Sequence, residues 1–317
     1  MEFLNRYVNK KILNFPHHLT GLRNFDKKYF DEIFKLTEFY KKSIVEKKPL
    51  EKILNDKSVL NLFFEDSTRT RTSFELVQKK LGMQSVNFNA SASSVSKGES
   101  LLDTIKNIEA MKFDYIVVRH SAPGIPNLLI NHTTSKVINA GDGTNEHPTQ
   151  GLLDIFTLKE IFGKLNNVKI CIVGNISHSR VALSNIFGLI KLGANVSVCG
   201  PVSFIPKNIK SLGVKVFTDI DDAIRKNDAL NILRVQLERE AGTLLPSLTE
   251  FSKHYGITAD KIKLNPKIKI LHPGPMNINV ELDYETSVSK NSFIFEQVTN
   301  GVAVKCAVFN LMNNVTN

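Results

Sequence analysis

Short apolar runs alternate along the chain with longer segments whose apolar residues recur at helical spacing. A run of about four to eight apolar residues is typical of a buried strand, whereas apolar residues three and four positions apart indicate one face of a helix. The runs predict strands over residues 59–64, 85–88, 114–120, 136–141, 169–174, 195–200, 214–217, 229–233 and 267–271. The spacing predicts helices over residues 26–48, 70–81, 101–112 and 293–312, from Pro148, from Arg180, and in short pieces within 241–266.

This succession of strand and helix is interrupted near residues 148–168. Strands that alternate with helices are typical of an α/β fold with mostly parallel sheets. The predicted fold class is therefore α/β, with two domains, each a mostly parallel sheet flanked by helices. We expect the first domain over residues 1–148, completed by a C-terminal helix at 293–315 that returns to it. The second domain is expected over residues 149–292.

One stretch places polar and cationic residues directly between a predicted strand and a predicted helix. Its turn contains, in order, Ser67, Thr68, Arg69 and Thr70. The first N–H groups of a helix have no partner within the helix, and together with the helix dipole they favour an anion. Arg69 adds a side chain that can hold phosphate or carboxylate through two parallel hydrogen bonds. An ordinary helix cap explains one hydroxyl residue but not the whole cluster, so the turn is a candidate phosphate site.

Further polar residues follow other predicted strands, which is where open α/β sheets bind their ligands. Arg119 stands at the end of one strand, although a solvated charge would occupy the same position. His147 precedes Pro148, a residue suited to the first turn of a helix, and Gln150 lies in that turn. A lone histidine before proline is usually a cap or a surface residue, so the sequence alone leaves both interpretations open.

Three other segments are marked by composition. Residues 89–100 are small and polar and residues 234–240 are strongly charged, which alone indicates exposed loops. A rigid His-Pro-Gly-Pro sequence contains Gly274–Pro275, a candidate cis peptide bond that exposes a carbonyl. The strand and turn that open the second domain look like a dinucleotide-binding unit. However, residues 174–188 contain no Gly-x-Gly-x-x-Gly, so a dehydrogenase is poorly supported.

Composition narrows the class of protein further. The chain has 317 residues, a net charge of +10 and three cysteines without a Cys-x-x-Cys pair, so neither zinc nor a disulfide is expected. A basic protein attracts small dianions as well as nucleic acid, but no cluster of stacking aromatic residues on a basic face supports nucleic acid. No apolar run approaches a membrane span and the N-terminus lacks a signal-peptide core, so a soluble, cytoplasmic protein is expected.

The turn at 67–70, which follows Phe-Phe-Glu, is similar to the carbamoyl-phosphate motif of the aspartate/ornithine carbamoyltransferase family. His-Pro-Thr-Gln at 147–150 resembles a second signature of that family, and other segments extend the resemblance over roughly residues 15–312. The resemblance implies transfer of the carbamoyl group of carbamoyl phosphate to L-aspartate, giving N-carbamoyl-L-aspartate and phosphate in de novo pyrimidine biosynthesis. It implies no metal, no other cofactor and no covalent nucleophile.

The same resemblance implies a role for each matching residue. The phosphate is expected on Ser67, Thr68, Arg69, Thr70, Arg119 and, from another subunit, Ser93 and Lys97. The carbamoyl oxygen is expected near Thr70, Arg119 and His147, and the carbamoyl amino group near Gln150, Gly274 and Pro275. The expected catalytic residues are Arg69, Thr70, Lys97, Arg119 and His147.

Aspartate carboxylates are expected on Lys97, Arg180, Arg234 and Gln236. The loop that carries Ser93 and Lys97 resembles one that aspartate enzymes lend to a neighbouring subunit, which implies a homotrimer with shared active sites. The alternative is a transcarbamylase for ornithine or an unusual amine, and this loop and the His-Pro-Gly-Pro sequence argue against it. The sequence leaves open whether a regulatory chain or another pyrimidine-pathway enzyme associates.

Overall fold

A computed structural model describes residues 15–65, 67–89, 100–235 and 248–315 of the chain. The chain divides into two compact units: unit 1 comprises Met1–Thr149 and Thr299–Asn317, and unit 2 comprises Gln150–Val298. No helix in the described ranges is both long and apolar enough to cross a membrane.

Unit 1 is built on a parallel sheet whose described strands have the order β2-β1-β3-β4. The strands are β1 Ser58–Phe63, β2 Gln84–Asn89, β3 Tyr115–His120 and β4 Lys136–Asp142. The helices that precede or connect them are α1 Lys27–Val45, α2 Thr68–Leu81, α3 Leu101–Ala110 and α4 Ile125–Ile130. In β1 all residues after Ser58 are buried, which is why this strand reads as a continuous apolar run with one interruption, Asn61.

Unit 2 contains a second parallel sheet, with the strand order β7-β6-β5-β8-β9. Its strands are β5 Lys169–Val173, β6 Asn195–Cys199, β7 Lys215–Phe217, β8 Ala229–Ile232 and β9 Lys269–Leu271. Its helices are α5 Pro148–Phe162, which begins in unit 1, α6 Arg180–Lys191, α7 Ile220–Lys226, α8 Leu248–Tyr255, α9 Ala259–Ile262 and α10 Tyr284–Ser287.

The last helix, α11 Ile294–Asn313, supplies part of the core of unit 1. Phe309 packs edge-on against Phe74 and Tyr115, with ring centroids 6.2 and 5.4 Å apart. Asn310 Nδ2 donates a hydrogen bond of 2.6 Å to the buried hydroxyl of Tyr40 in α1. The predicted return of the C-terminal helix to the first domain is therefore confirmed, as is the two-domain parallel α/β fold.

The strands and long helices predicted from the sequence are present, with small shifts at their ends. Three short helices, α4, α7 and α10, were not predicted. The predicted helical pieces within 241–266 correspond to α8 and α9 where that segment is described. The predicted loops at 89–100 and 234–240 lie for the most part outside the described residues.

Lys305 places a cation inside the core that α11 completes. Its side chain is 6% exposed, Nζ donates to the Gly301 carbonyl at 3.1 Å, and Nζ lies 5.2 Å from the centre of the Phe74 ring. Burial lowers the pKa of Lys305 from 10.5 to about 8. The charged form is therefore less stable in the folded protein than in the unfolded chain.

Replacement of this lysine, Lys305→Met, is expected to raise the free energy of unfolding by about 3 kcal/mol at pH 7. The pKa of Lys305 is lower in the folded protein than in the unfolded chain, so between pH 10.5 and pH 8 the unfolded chain binds a proton that the folded protein does not. This proton stabilises the unfolded chain, and the wild-type protein therefore loses stability as pH falls through this range. The increase in the free energy of unfolding of Lys305→Met over the wild type should be complete below pH 8 and absent above pH 10.5. Urea unfolding at several pH values measures it, with the exposed Lys79→Met as the control. A variant destabilised at every pH would contradict the expectation.

Candidate active site

The turn between β1 and α2 has the features that an anion site needs. Ser67 is the N-terminal cap residue of α2 by position, but its hydroxyl makes no capping hydrogen bond. The first turn of α2 carries no acidic residue, and Thr68 and Arg69 are exposed there. The ordinary explanation of the motif as a helix cap is therefore not supported by the geometry of Ser67.

Arg119 lies beside this turn because β1 and β3 are neighbours. It pairs with Phe63 in the parallel register, and the Phe64 N–H donates to the Arg119 carbonyl at 2.9 Å. The guanidinium is 2.8 Å from Glu65 Oε1 through Nε and donates from Nη1 to the Ala140 carbonyl at 3.2 Å. These contacts hold the side chain between the carboxyl ends of β1 and β4, where 16% of its surface is exposed.

His147 lies at the junction of β4 and α5, directly after a loop that is held by hydrogen bonds around Asp142. The Asp142 carboxylate accepts from the Gly124 N–H at 2.7 Å, from Asn139 Nδ2 at 2.7 Å and from the Glu146 N–H at 3.1 Å. The imidazole is buried, and its Nδ1 is 3.4 Å from Thr149 Oγ1. As predicted, Pro148 occupies the first position of the following helix.

Two arginines of unit 2 follow neighbouring strands. Arg180 is the first residue of α6 and is 3% exposed, and Ser179 caps this helix by accepting from the Ala182 N–H at 3.2 Å. Arg234 follows β8 and is half-buried. Because β5 and β8 pair in parallel, both arginines stand at the same edge of the sheet.

A close approach of the backbone near these arginines requires a glycine. Gly174 has a φ of +126°, and a Cβ added there would lie 3.2 Å from the Leu233 Cβ. The Leu233 N–H also donates to the Val173 carbonyl at 2.8 Å. The glycine thus lets the segments that lead to Arg180 and Arg234 leave the sheet side by side.

The His-Pro-Gly-Pro loop follows β9, the neighbour of β8, so it reaches the same edge. The Gly274–Pro275 bond is cis, as predicted. The Gly274 N–H donates to His272 Nδ1 at 2.8 Å, and the His272 N–H donates to Gln297 Oε1 at 2.8 Å. Within the described residues, the carbonyl oxygens of Gly274 and Pro275 accept no hydrogen bond, so they are available as acceptors.

Gln150 is oriented by a buried carboxylate that the sequence reasoning missed. Gln150 Nε2 donates to Asp154 Oδ1 at 2.8 Å. Burial raises the pKa of Asp154, whereas four amide donors favour its ionised form. The sequence signal was an acidic residue inside the apolar run at 152–156.

A second buried carboxylate, Glu281, joins the loops that follow β8 and β9. Its side chain accepts from the Val235 N–H, the Asn277 N–H and Asn277 Nδ2, each at 2.7 Å. Asn277 Nδ2 also donates to the Val235 carbonyl at 3.0 Å. Burial raises the pKa of Glu281 while these donors oppose that shift. The carboxylate therefore fixes the residue after Arg234 relative to the His-Pro-Gly-Pro loop.

The structure thus brings the predicted site residues together within each unit. In unit 1 the 67–70 turn, Arg119 and His147 occupy the carboxyl ends of adjacent strands. In unit 2 Arg180, Arg234 and the Gly274–Pro275 loop do the same. Three predicted ligands lie outside the described residues: Ser93, Lys97 and Gln236.

Fold and site together define an α/β enzyme for small anionic substrates. Residues 17–160 match the family described as aspartate/ornithine carbamoyltransferase, carbamoyl-P binding domain. Residues 166–312 match its Asp/Orn binding domain. This chain belongs to the aspartate/ornithine carbamoyltransferase family.

Individual relatives agree with this assignment. The chain is 49% identical over 298 residues to the aspartate carbamoyltransferase catalytic subunit of Cytophaga hutchinsonii, which covers 93% of this chain and 96% of the relative. A crystal structure of Trypanosoma cruzi aspartate transcarbamoylase with carbamoyl aspartate and phosphate is similar, with a TM-score of 0.82 and 27% identity over 92% of this chain and 95% of that one. The catalytic subunit of M. jannaschii aspartate transcarbamoylase has a TM-score of 0.80 and 32% identity over 93% and 97% of the two chains.

Proposed function

We propose that this chain is an aspartate carbamoyltransferase, which forms N-carbamoyl-L-aspartate and phosphate in de novo pyrimidine biosynthesis. The observation that carries the choice of acceptor is the pair Arg180 and Arg234 at the ends of adjacent strands. Two guanidinium groups suit the two carboxylates of aspartate. Ornithine offers one carboxylate and a second cationic amine, which this pair would repel.

Carbamoyl phosphate takes its phosphate to the turn at the start of α2. Ser67, whose hydroxyl makes no cap, and Arg69 in the first helical turn supply hydrogen bonds and charge there. Phosphate at a helix N-terminus is favoured by the free N–H groups and the helix dipole. The full set proposed for the phosphate is Ser67, Thr68, Arg69, Thr70 and Arg119, with Ser93 and Lys97.

The carbamoyl group is held by both of its ends. Thr70, Arg119 and His147 donate to its oxygen, and Gln150 with the carbonyls of Gly274 and Pro275 accepts from its amino group. The exposed carbonyls of the loop after β9 and the fixed amide of Gln150 support this assignment. Both sets act as preorganised dipoles, which need no rearrangement during the reaction.

The reaction is an attack of the aspartate amine on the carbamoyl carbon. The nitrogen lone pair forms the new C–N bond, and the C–O bond to phosphate breaks with its electrons on the phosphate. Negative charge grows on the carbamoyl oxygen on the way, where Thr70, Arg119 and His147 stabilise it. The leaving phosphate is the proposed acceptor of the amine proton. Proximity and charge stabilisation then supply the rate without a metal or a covalent intermediate.

The proposed assembly is a cyclic homotrimer in which Ser93 and Lys97 act in the active site of a neighbouring subunit. The proposed location is the cytoplasm. The domains proposed from the sequence, residues 1–148 with 293–315 and residues 149–292, bind carbamoyl phosphate and aspartate respectively.

Purified protein is expected to carbamoylate aspartate at least about tenfold faster than ornithine at equal concentration. Each charge-assisted contact to a carboxylate is worth about 1.5–3 kcal/mol, and ornithine forfeits one. Product formation from carbamoyl phosphate with each amine measures the ratio. The rate with aspartate should persist in EDTA without added nucleotide. Faster turnover of ornithine would make the chain a different transcarbamylase of the same family.

A further inference from the structure

The carboxylate of Asp154 accepts hydrogen bonds from four side-chain amides of unit 2. Oδ1 accepts from Gln150 Nε2 at 2.8 Å and from Gln297 Nε2 at 2.7 Å. Oδ2 accepts from Asn185 Nδ2 at 2.8 Å and from Asn231 Nδ2 at 3.1 Å. Asp154 is fully buried, so these amides are its environment rather than water.

A carboxylate can only accept hydrogen bonds, whereas a primary amide has a donating and an accepting end. Asp154 therefore turns the NH₂ group of every amide towards itself and every amide carbonyl away. The cost is visible in two places: the carbonyl oxygens of Asn185 and Asn231 are buried and have no hydrogen-bond partner in the described part of the chain. The carboxylate decides the orientation of these amides even where an acceptor is left unsatisfied.

Asp154 orients the proposed acceptors of the carbamoyl amino group in two ways, directly through Gln150 and indirectly through Gln297. In Gln150 the NH₂ group is engaged by Asp154, so Oε1 is left to accept from a ligand. In Gln297 the NH₂ group is also engaged, and Oε1 accepts from the His272 N–H at 2.8 Å. This bond anchors the start of the loop whose Gly274 and Pro275 carbonyls are available.

We propose that Asp154 is a positioning residue that makes the site select an acyl phosphate carrying an N–H donor. It fixes Gln150 directly, and the Gly274–Pro275 loop through Gln297, with their acceptor oxygens towards the ligand. The inference rests on the proposed function, since it assigns the carbamoyl amino group to these oxygens. Acetyl phosphate is the probe, because it keeps the phosphate and the acyl oxygen but has a methyl group where carbamoyl phosphate has its amino group.

The test is Asp154→Leu, which keeps roughly the size of the side chain but offers no hydrogen-bond acceptor. Gln150 and Gln297 then lose the acceptor that fixes the direction of their NH₂ groups. Calorimetric titration of the protein with each acyl phosphate is expected to show about tenfold weaker binding of carbamoyl phosphate. Binding of acetyl phosphate should change by less than about threefold, since a methyl group makes no hydrogen bond.

Asn185→Ala is the matched control, because it removes a donor from Oδ2 and leaves Oδ1 with both glutamines. It should lower the denaturation midpoint while the ratio of the two affinities stays at the wild-type value. If Asp154→Leu does not fold by circular dichroism, Gln297→Met replaces it, since this change frees the His272 N–H and leaves Gln150 on Asp154. In Gln297→Met, too, the ratio of the affinity for carbamoyl phosphate to the affinity for acetyl phosphate is expected to be lower than in the wild type.

An unchanged ratio of the two affinities in the folded Asp154→Leu protein, or in Gln297→Met if that variant is used, would overturn the proposal. Equally weaker binding of both acyl phosphates would also overturn the proposal, because it would mean that Asp154 only maintains the structure of the site and does not select for the amino group. Failure of the proposed function is distinct: the wild-type protein itself would then not bind carbamoyl phosphate or carbamoylate aspartate.

Discussion

Arg69→Ala is expected to lower kcat/KM for carbamoyl phosphate by about a hundredfold or more. A charge-assisted contact to phosphate is worth about 1.5–3 kcal/mol in binding, which alone corresponds to roughly ten- to 150-fold. The loss grows further if the contact strengthens as the phosphate leaves. Arg69 is exposed in the first turn of α2, so its removal should leave the core and the free energy of unfolding nearly unchanged. Steady-state kinetics and urea unfolding of the same preparation separate the two effects.

Arg71→Ala is the matched control for this change. Arg71 lies in the same helix two residues further on, and its Nε is 3.6 Å from Glu75 Oε1. Partly exposed pairs of this kind contribute at most about 1 kcal/mol. Near wild-type kinetics are therefore expected for Arg71→Ala. If Arg69→Ala also keeps a normal kcat/KM, the turn is only the start of a helix and the phosphate must bind elsewhere.

Mixed trimers of two inactive variants are expected to regain about a quarter of the wild-type activity. The proposed assembly takes Arg69 from one subunit and Lys97 from its neighbour in each site. Arg69→Ala and Lys97→Ala trimers should each be nearly inactive. After dissociation, equal mixing and re-association into a head-to-tail ring, about one site in four receives both intact residues, as one half times one half. Activity assays on hybrids verified by mass measure the recovery.

A mixture of Arg69→Ala and Arg119→Ala trimers is the control for the sharing of active sites between subunits. Both residues are in unit 1, at the carboxyl ends of the paired strands β1 and β3, so the same subunit supplies them to one site. No mixture of these two variants can build an intact site, and no recovery is expected. If Arg69→Ala and Lys97→Ala hybrids also stay inactive, Lys97 does not act across a subunit boundary.

The fold was predictable where burial determines residue type over a whole element. Strands such as β1 and β5 are buried along nearly all their length, so they read as apolar runs. Helix α4 was missed because six residues, in the sequence Ile-Pro-Asn-Leu-Leu-Ile, are too short to show a helical period. The seven-residue α7 and the four-residue α10 were missed for the same reason.

The candidate ligands were predictable because each stands in a short local motif at the end of a strand. Most of the contacts that orient them were not, because those contacts join residues that are distant in sequence. Asn231 and Gln297 meet the carboxylate of Asp154 from 77 and 143 positions away. No local pattern marks such a contact, and it arises only when β8 and the first residues of α11 pack in unit 2 with α5. Glu281, which is 46 positions from Val235, was out of reach for the same reason.

The contribution of α11 to unit 1 has a consequence for synthesis on the ribosome. Residues up to Thr149 emerge first, yet Phe74 and Tyr115 lack the ring of Phe309, and Tyr40 lacks Asn310, until the last turns of the chain are made. At about 5–20 residues per second, the nascent chain waits for roughly ten to thirty seconds with this apolar surface uncovered. Over that interval the aromatic side chains are open to chaperones and to other nascent chains.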